Sequence, residues 1–348
     1  MDGRQNTQGE SRQGLEDLKT FRFRKLHPQV LLGTASDRYA GWIGQIYAPE
    51  RYLNRLSKRS KTFKDKAFVE ETLPVDSLEE YFEHFSILEI DFTFYQLLLD
   101  ENEKPTQNYF LLKKYGSHLK EKDSLFLKVP QLITARKVHQ GAQYGLNENY
   151  LNPELFIRRF YQPAREVLGS KIRGFIFEQE YHRRQERIPI DELAASLAQF
   201  FESLPEDDRY HLELRTEAYL SLPVFSLMRK HGLGQVLSHW TWLPPLDKQF
   251  DKSGRRFFNA GGQAVIRLMT PIGLRYEEAY AKAHPFDKLV PGLLQPRMIA
   301  DTVKLMRKAI AEGIQMNVII NNRSGGSAPL IAQELAGQFL GGREGPRE

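Results

Sequence analysis

QMNVIINNRSGGSAPLIAQEL, residues 315–335, holds a strand, a turn and the start of a helix in one stretch. Residues 316–320 are apolar and rich in β-branched side chains, as a strand buried on both faces requires. Asn321 and Asn322 close it. Ser324, Gly325, Gly326 and Ser327 then turn the chain into an apolar helix starting near Ala328, with Pro329 in the first turn, where a missing N–H costs little. The turn has the layout of an anion site: free backbone N–H groups at a helix N-terminus, glycines that admit a ligand, and side-chain donors close by. A Gly-Gly turn between strand and helix is also an ordinary connection, so its meaning depends on what surrounds it.

Seven further stretches read as strands of the same kind: residues 30–36, 87–95, 125–130, 172–180, 210–215, 234–239 and 264–269. Helical periodicity fills most of the gaps, at 76–84, 106–118, 153–167, 190–203, 223–231, 275–283 and 297–312, with Pro163 expected to kink or end the third of these. Eight strands alternating with helices predict a parallel sheet closed into a single (β/α)₈ TIM-type barrel over residues 28–340. Residues 1–27 are polar and without apolar periodicity and read as a disordered arm. Residues 341–348 read as a flexible tail. Residues 51–72 read as a basic insertion, and 240–263 as a long Pro/Gly-containing loop without a helix.

Alternation along the strands sorts the charges onto one face. Glu89, Asp91, Thr93 and Tyr95 share a face of the second strand, and Glu213 and Arg215 share one of the fifth. Lys128 ends the third, Glu178 and Glu180 align on the fourth, and Arg267 lies on the seventh. A barrel strand turns its apolar face toward the helices, so the charged face must look into the lumen, near the C-terminal strand ends where barrel enzymes place their chemistry. Unpaired ions there cost several kcal/mol each, so they must be paired, hydrated or liganded. Either a mutual salt-bridge network or a ligand site satisfies that requirement, and the convergence of eight charges favours a ligand site.

Composition narrows the classes. The chain has 348 residues, 41% hydrophobic and 27% charged, enough for one large α/β domain. Forty-nine basic against forty-four acidic residues give a net charge of +5, an excess that permits polyanion binding without demanding it. Cysteine is absent, which removes disulfides, thiolate zinc sites and a Cys nucleophile and suits a reducing compartment. No run reaches the roughly eighteen apolar residues of a membrane span, and the first residues lack a signal-peptide core, so a cytoplasmic location without membrane contact is expected.

GTASDRYAGW at residues 33–42 and IYAPERY at 46–52 resemble the opening motifs of the YecE-like barrel proteins, also called domain of unknown function 72. EIDFTFY at 89–95, LKVP at 127–130, ELRTEAY at 213–219, IRLMT at 266–270 and INNRSGGSAP at 320–329 are similar to later blocks of that family, in the same order. The family's histidines after the last three blocks are replaced here by Thr216, Met269 and Arg323, the asparagine of the EINSTFY block is Asp91, and Glu178 and Glu180 stand where glutamine and proline are usual. The resemblance implies a divergent member, with a barrel and a site at its C-terminal mouth, and implies no activity.

The site expected from the residues combines Glu213, Lys128, Glu89 and Glu178 as acid/base groups with Arg215, Arg267, Asn321, Asn322, Gly325, Gly326 and Ser327 as anion-binding groups. Its ligand would be a phosphate-bearing or sugar-like small anion, and hydrolysis, isomerisation and elimination all suit such a set. No cofactor is expected; a single Mg²⁺ or Mn²⁺ on Asp91, Glu178 and Glu180 is the alternative. Of the nine histidines only His239 falls at a C-terminal strand end, which argues against a multi-zinc centre. Two other readings stand beside this one. The first is a nucleic-acid binder using the seven cations of residues 51–66 and the aromatics Tyr39, Trp42, Trp240 and Trp242. The second is a ligand-binding barrel with no chemistry.

Overall fold

A computed structural model describes residues 13–14, 16–63, 66–140 and 143–341, with nothing said of the side chains of Phe63, His139 and Gln140. The strands in chain order are β1 Val30–Ala35, β2 Ser57–Phe63, β3 Lys66–Thr72, β4 Ile87–Ile90, β5 Ser124–Lys128, β6 Lys137–Gln140, β7 Gln143–Leu146, β8 Ile172–Gln179, β9 Tyr210–Leu214, β10 Gly234–His239, β11 Gln263–Leu268 and β12 Gln315–Ile320. Eight of them close into a barrel in the order β1, β12, β11, β10, β9, β8, β5, β4. These are the eight strands that the apolar runs predict. Among the described residues no helix is long and apolar enough to cross a membrane.

The chain divides into two compact units: residues 1–87, 239–241 and 266–348, and residues 88–238 and 242–265. In the first, β1 and β12 pair in parallel from Val30↔Met316 to Thr34↔Ile320. Tyr81, fully buried, accepts from the Thr34 N–H at 2.9 Å and donates to the Ile87 carbonyl at 2.8 Å, so a helix side chain stitches two strands. The basic insertion is a hairpin of β2 and β3, a pairing that its polar residues conceal. It docks through Phe68, edge-on to Tyr280 of the helix Tyr276–Ala283, while the Tyr280 hydroxyl donates to Glu70. The segment expected to be a mobile arm is docked in its later part: residues 16–19 are helical and Leu18 and Phe23 are buried, Phe23 against Phe85. Residues 1–12 and 342–348, the rest of the arm and nearly all of the tail, lie outside the described residues.

The second unit is cored by aromatics, Phe156, Phe160, Phe175, Phe177 and Tyr210 meeting at centroid distances of 5.2–6.3 Å where Phe156 contacts the other three strand rings. Pro163 acts as its chemistry requires. It cannot donate to the carbonyl four residues earlier, that of Arg159, and residues 157–161 open into a π-helical turn before the helix Gln162–Leu168 resumes. The freed Arg159 carbonyl accepts instead from the N–H groups of Leu98 (3.1 Å) and Leu99 (3.2 Å), which pins the loop after β4. Two expectations fail here. Residues 240–263 do contain a helix, Leu246–Lys252, hidden by flanking prolines and glycines. And β4 stops at Ile90, because Phe92–Phe94 form a 3₁₀ turn held by the Thr93 hydroxyl, which donates to the carbonyls of Ile90 (3.1 Å) and Lys128 (2.8 Å).

Gly33 tests the strand packing. A Cβ there would sit 2.0 Å from the Ile87 carbonyl oxygen, a backbone atom that cannot swing away. Gly33→Ala is expected to lose about 1–3 kcal/mol of stability from overpacking, read as a lower urea midpoint. An unchanged midpoint would show that the two strands separate freely at this point.

Candidate functional site

Parallel register places Glu178 of β8 directly beside Glu213 of β9. Two neighbouring carboxylates repel, and Glu213 is fully buried, so the pair persists only if cations stand against it. Arg215, just past the end of β9, supplies the first. Its Nη2 donates to Glu178 Oε2 at 2.8 Å and its Nε lies 2.8 Å from Glu213 Oε1. Lys128, the last residue of β5, supplies the second, with Nζ 3.0 Å from the same Glu178 Oε2 and 4.0 Å from Asp91 Oδ1. The ammonium also lies 3.8 Å from the centroid of the Phe94 ring, a cation–π contact made possible by the 3₁₀ turn after β4.

Burial grades this chain from inside to outside. Side-chain exposure is 0% for Glu213, 8% for Arg215, 9% for Lys128, 15% for Glu178 and 33% for Asp91. Two cations therefore converge on one carboxylate oxygen whose side chain lies nearer the solvent than theirs. Glu89 is fully buried on β4, one residue from its end.

Glu180 has a different role from the one its strand position predicts. It lies beyond β8, and its Oε1 accepts from the backbone N–H groups of Arg136 (2.8 Å) and Lys137 (3.3 Å) and meets His182 Nε2 at 3.1 Å. The Tyr219 hydroxyl accepts from the Ile188 N–H and lies 2.8 Å from His182 Nδ1, while Nε2 faces Glu180. This buried brace ties the base of the β6–β7 hairpin to the segments after β8 and β9. In the sequence, His182 is marked only by its spacing from Glu180 at a strand end. Asp91, Glu178 and Glu180 do not form a ligand set, and among the described residues no group of three or more His, Asp or Glu side chains is placed to hold a metal ion.

In the first unit the turn after β12 spends its amides on itself. The N–H groups of Gly325 (3.2 Å) and Gly326 (2.6 Å) donate to the Asn322 carbonyl, and that of Ala328 donates to Asn322 Oδ1 at 2.8 Å, which also accepts from Trp42 Nε1 at 3.0 Å. Ser327 donates to Gln45 at 2.9 Å. Gly326, at φ +117°, is approached by the chain itself: a Cβ would meet the Lys288 carbonyl at 2.2 Å, and the Val290 N–H donates to the Gly325 carbonyl. Gly326 thus admits a neighbouring backbone, and Gly325 the side chain of Ile331, where a ligand was expected. What remains outward from this turn is the pair of side-chain nitrogens Asn321 Nδ2 and Asn322 Nδ2, buried and without a hydrogen-bond acceptor among the described residues. Arg267, on β11, is fully buried.

A family model described as protein of unknown function DUF72 matches residues 31–346. The chain belongs to this family. The matched span runs through both units and contains every residue of the site. The chain is similar to a solved DUF72 family protein of Enterococcus faecalis V583 at 16% identity, with a TM-score of 0.53 over 92% of this chain and 99% of that one. A second structure of that protein gives 15% identity and a TM-score of 0.52 over 90% and 98%. A DUF72 family protein of Thermotoga maritima MSB8 aligns at 15% identity and a TM-score of 0.48, over 89% and 97%. No curated protein matches the chain. At these identities the likeness is one of fold, and the chemistry of this DUF72 member has to be argued from its own side chains.

His239, at the end of β10, is one of them. Burial pushes its imidazole down to about 4, against a partial rescue by Gln295, whose Oε1 lies 2.9 Å from Nε2. Burial does the same to His211, also to about 4. Both are neutral when folded, while an unfolded chain protonates its histidines near the ordinary value of about 6.5. Stability is therefore full above that pH and falls as pH drops from ~6.5 toward 4, by on the order of 3 kcal/mol per histidine. His239→Gln is expected to flatten this slope in urea titrations across the window; the wild-type slope in the variant would mean that His239 titrates normally in the folded protein.

Proposed function

We propose that this DUF72 member binds a small anionic molecule, phosphate-bearing or an acidic sugar, at the C-terminal ends of β5, β8 and β9, with Lys128 and Arg215 as its grip. The observation that carries this reading is the single oxygen, Glu178 Oε2, lying 3.0 Å from Lys128 Nζ and 2.8 Å from Arg215 Nη2. A carboxylate oxygen held by an ammonium and a guanidinium occupies the position that a ligand oxyanion would take. Glu178 is the more exposed partner, so it can swing aside while the two cations stay in place. Glu213, fully buried beside Arg215, acts as a positioning residue: it keeps the guanidinium oriented when Glu178 leaves. Once displaced, Glu178 is the base nearest the bound molecule, and Lys128 is the acid, which suits proton transfer in an isomerisation, elimination or hydrolysis.

The nucleic-acid reading has less support. Four of the seven cations in residues 51–66 face carboxylates: Arg51 faces Glu80, Arg55 faces Asp76 in a two-pronged bridge, Lys58 faces Glu71 and Lys61 faces Glu70. Paired cations contribute little to a field that would gather a polyanion. Lys64 lies outside the described residues.

Glu178→Gln removes the internal competitor and leaves both cations. Inorganic phosphate, followed by calorimetry and by thermal stabilisation, is expected to bind this variant about tenfold more tightly than the wild type, roughly 1.4 kcal/mol. In Lys128→Gln and Arg215→Gln the binding should disappear. Equal phosphate affinity in all four proteins would sink the reading.

A further inference from the structure

A second feature of the same unit says what else the ligand carries. A cavity of about 480 Å³, within the range of small-molecule sites, opens between the loops that follow β4 and β5. Its walls include Tyr95, Leu97, Leu99, Pro130, Leu132 and Val138. Two of the segments that build it also support Lys128. Tyr95 follows Phe94, the ring under Lys128, and Pro130 stands two residues after Lys128. The Thr93 hydroxyl fastens the two segments together through the Lys128 carbonyl.

Three of the polar residues of the cavity hold its shape. Thr106 donates to the carbonyls of Leu97 (2.8 Å) and Leu98 (3.0 Å), Arg159 Nε donates to that of Leu99 (3.1 Å), and Asp100 accepts from the N–H groups of Asn102 and Lys104 (2.9 Å each). The π-helical turn imposed by Pro163 fixes one wall, since it frees the Arg159 carbonyl to hold Leu98 and Leu99. Facing the space are aliphatic side chains and the Tyr95 ring, an aromatic 71% exposed at the cavity edge, together with Gln96, Gln131 and the carboxylates of Asp100 and Glu101. Burying that much apolar wall under a ligand is favourable, whereas Asp100 and Glu101 on the rim repel negative charge.

We infer that this cavity is a specificity subsite for the uncharged, apolar part of an amphipathic anion whose charged end is held by Lys128 and Arg215. The substrate class is then an aryl or short alkyl group joined to a phosphate, carboxylate or sulfonate. The inference rests on the proposed function for the charged end only.

Two fluorescent probes with the same rings separate the parts: anilinonaphthalene sulfonate, which is anionic, and phenylnaphthylamine, which is neutral. The full chain is expected to bind both saturably, the sulfonate about tenfold more tightly. Leu132→Trp, which fills the cavity, and Tyr95→Ala, which removes an exposed wall and leaves the core untouched, should each weaken both probes about tenfold or more while inorganic phosphate binds as before. Lys128→Gln should weaken the sulfonate alone. Probe binding unchanged in both cavity variants overturns the subsite and leaves the cation pair standing. Loss of the neutral probe in those variants, with no preference for the sulfonate and no phosphate binding, instead overturns the charged end and with it the joined ligand.

Discussion

Placing two glutamates side by side on adjacent parallel strands is the constraint from which the rest of the site follows. Glu178 and Glu213 are register partners, and one of them has no exposure at all. Such a pair is tolerated only with fixed countercharge, and the fold provides it from two directions: a guanidinium one step past β9 and an ammonium at the end of β5. The planar fork of Arg215 reaches both carboxylates at once, which an ammonium in its place could not do with the same geometry. Lys128 then needs its own support, and the 3₁₀ turn after β4 delivers Phe94 beneath it. Each element is local, but each depends on the one before.

The architecture was legible because its signal is periodic. Eight apolar runs became eight barrel strands, since a strand covered by helices must be apolar on one face whatever else it carries. The elements that escaped have no such face. Residues 57–63 are almost wholly polar and pair with residues 66–72 through backbone hydrogen bonds and cross-strand charge pairs, so they read as a charge run. The β6–β7 hairpin is only four residues a side. The helix Leu246–Lys252 is short and framed by residues that usually end helices.

At the site, residue type was legible and direction was not. Alternation placed Lys128, Glu178, Glu213 and Arg215 on related strand faces, and the side chains do meet. The same rule extended past Ile90 and Gln179, where the strands have already ended, and so it misassigned Thr93 and Glu180, although Asp91 still faces Lys128. Glu180 answers to backbone N–H groups forty-four residues earlier in the chain, a contact that no local pattern encodes. The Gly-Gly turn shows a related ambiguity. Close approach demands glycine whether the approaching atoms belong to a ligand or to the chain, and here residues 288–290 are what approach Gly326.

That ambiguity orders the two candidate features by chemistry. A turn in which the amides of Arg323, Ser324, Gly325, Gly326 and Ala328 already have acceptors gains little there from an anion, because each new hydrogen bond would replace one already made. A cation pair sharing one carboxylate less buried than itself is in the opposite situation: under the proposed function, the exchange of one oxyanion for another would be close to neutral in charge and hydrogen bonding, so modest differences in fit would decide which one is held. The cavity between the loops after β4 and β5 would supply such a difference, since Glu178 has nothing to place in it and an amphipathic anion does. Selectivity would then come from the part of the ligand that carries no charge, and the ionic grip would serve chiefly to orient it.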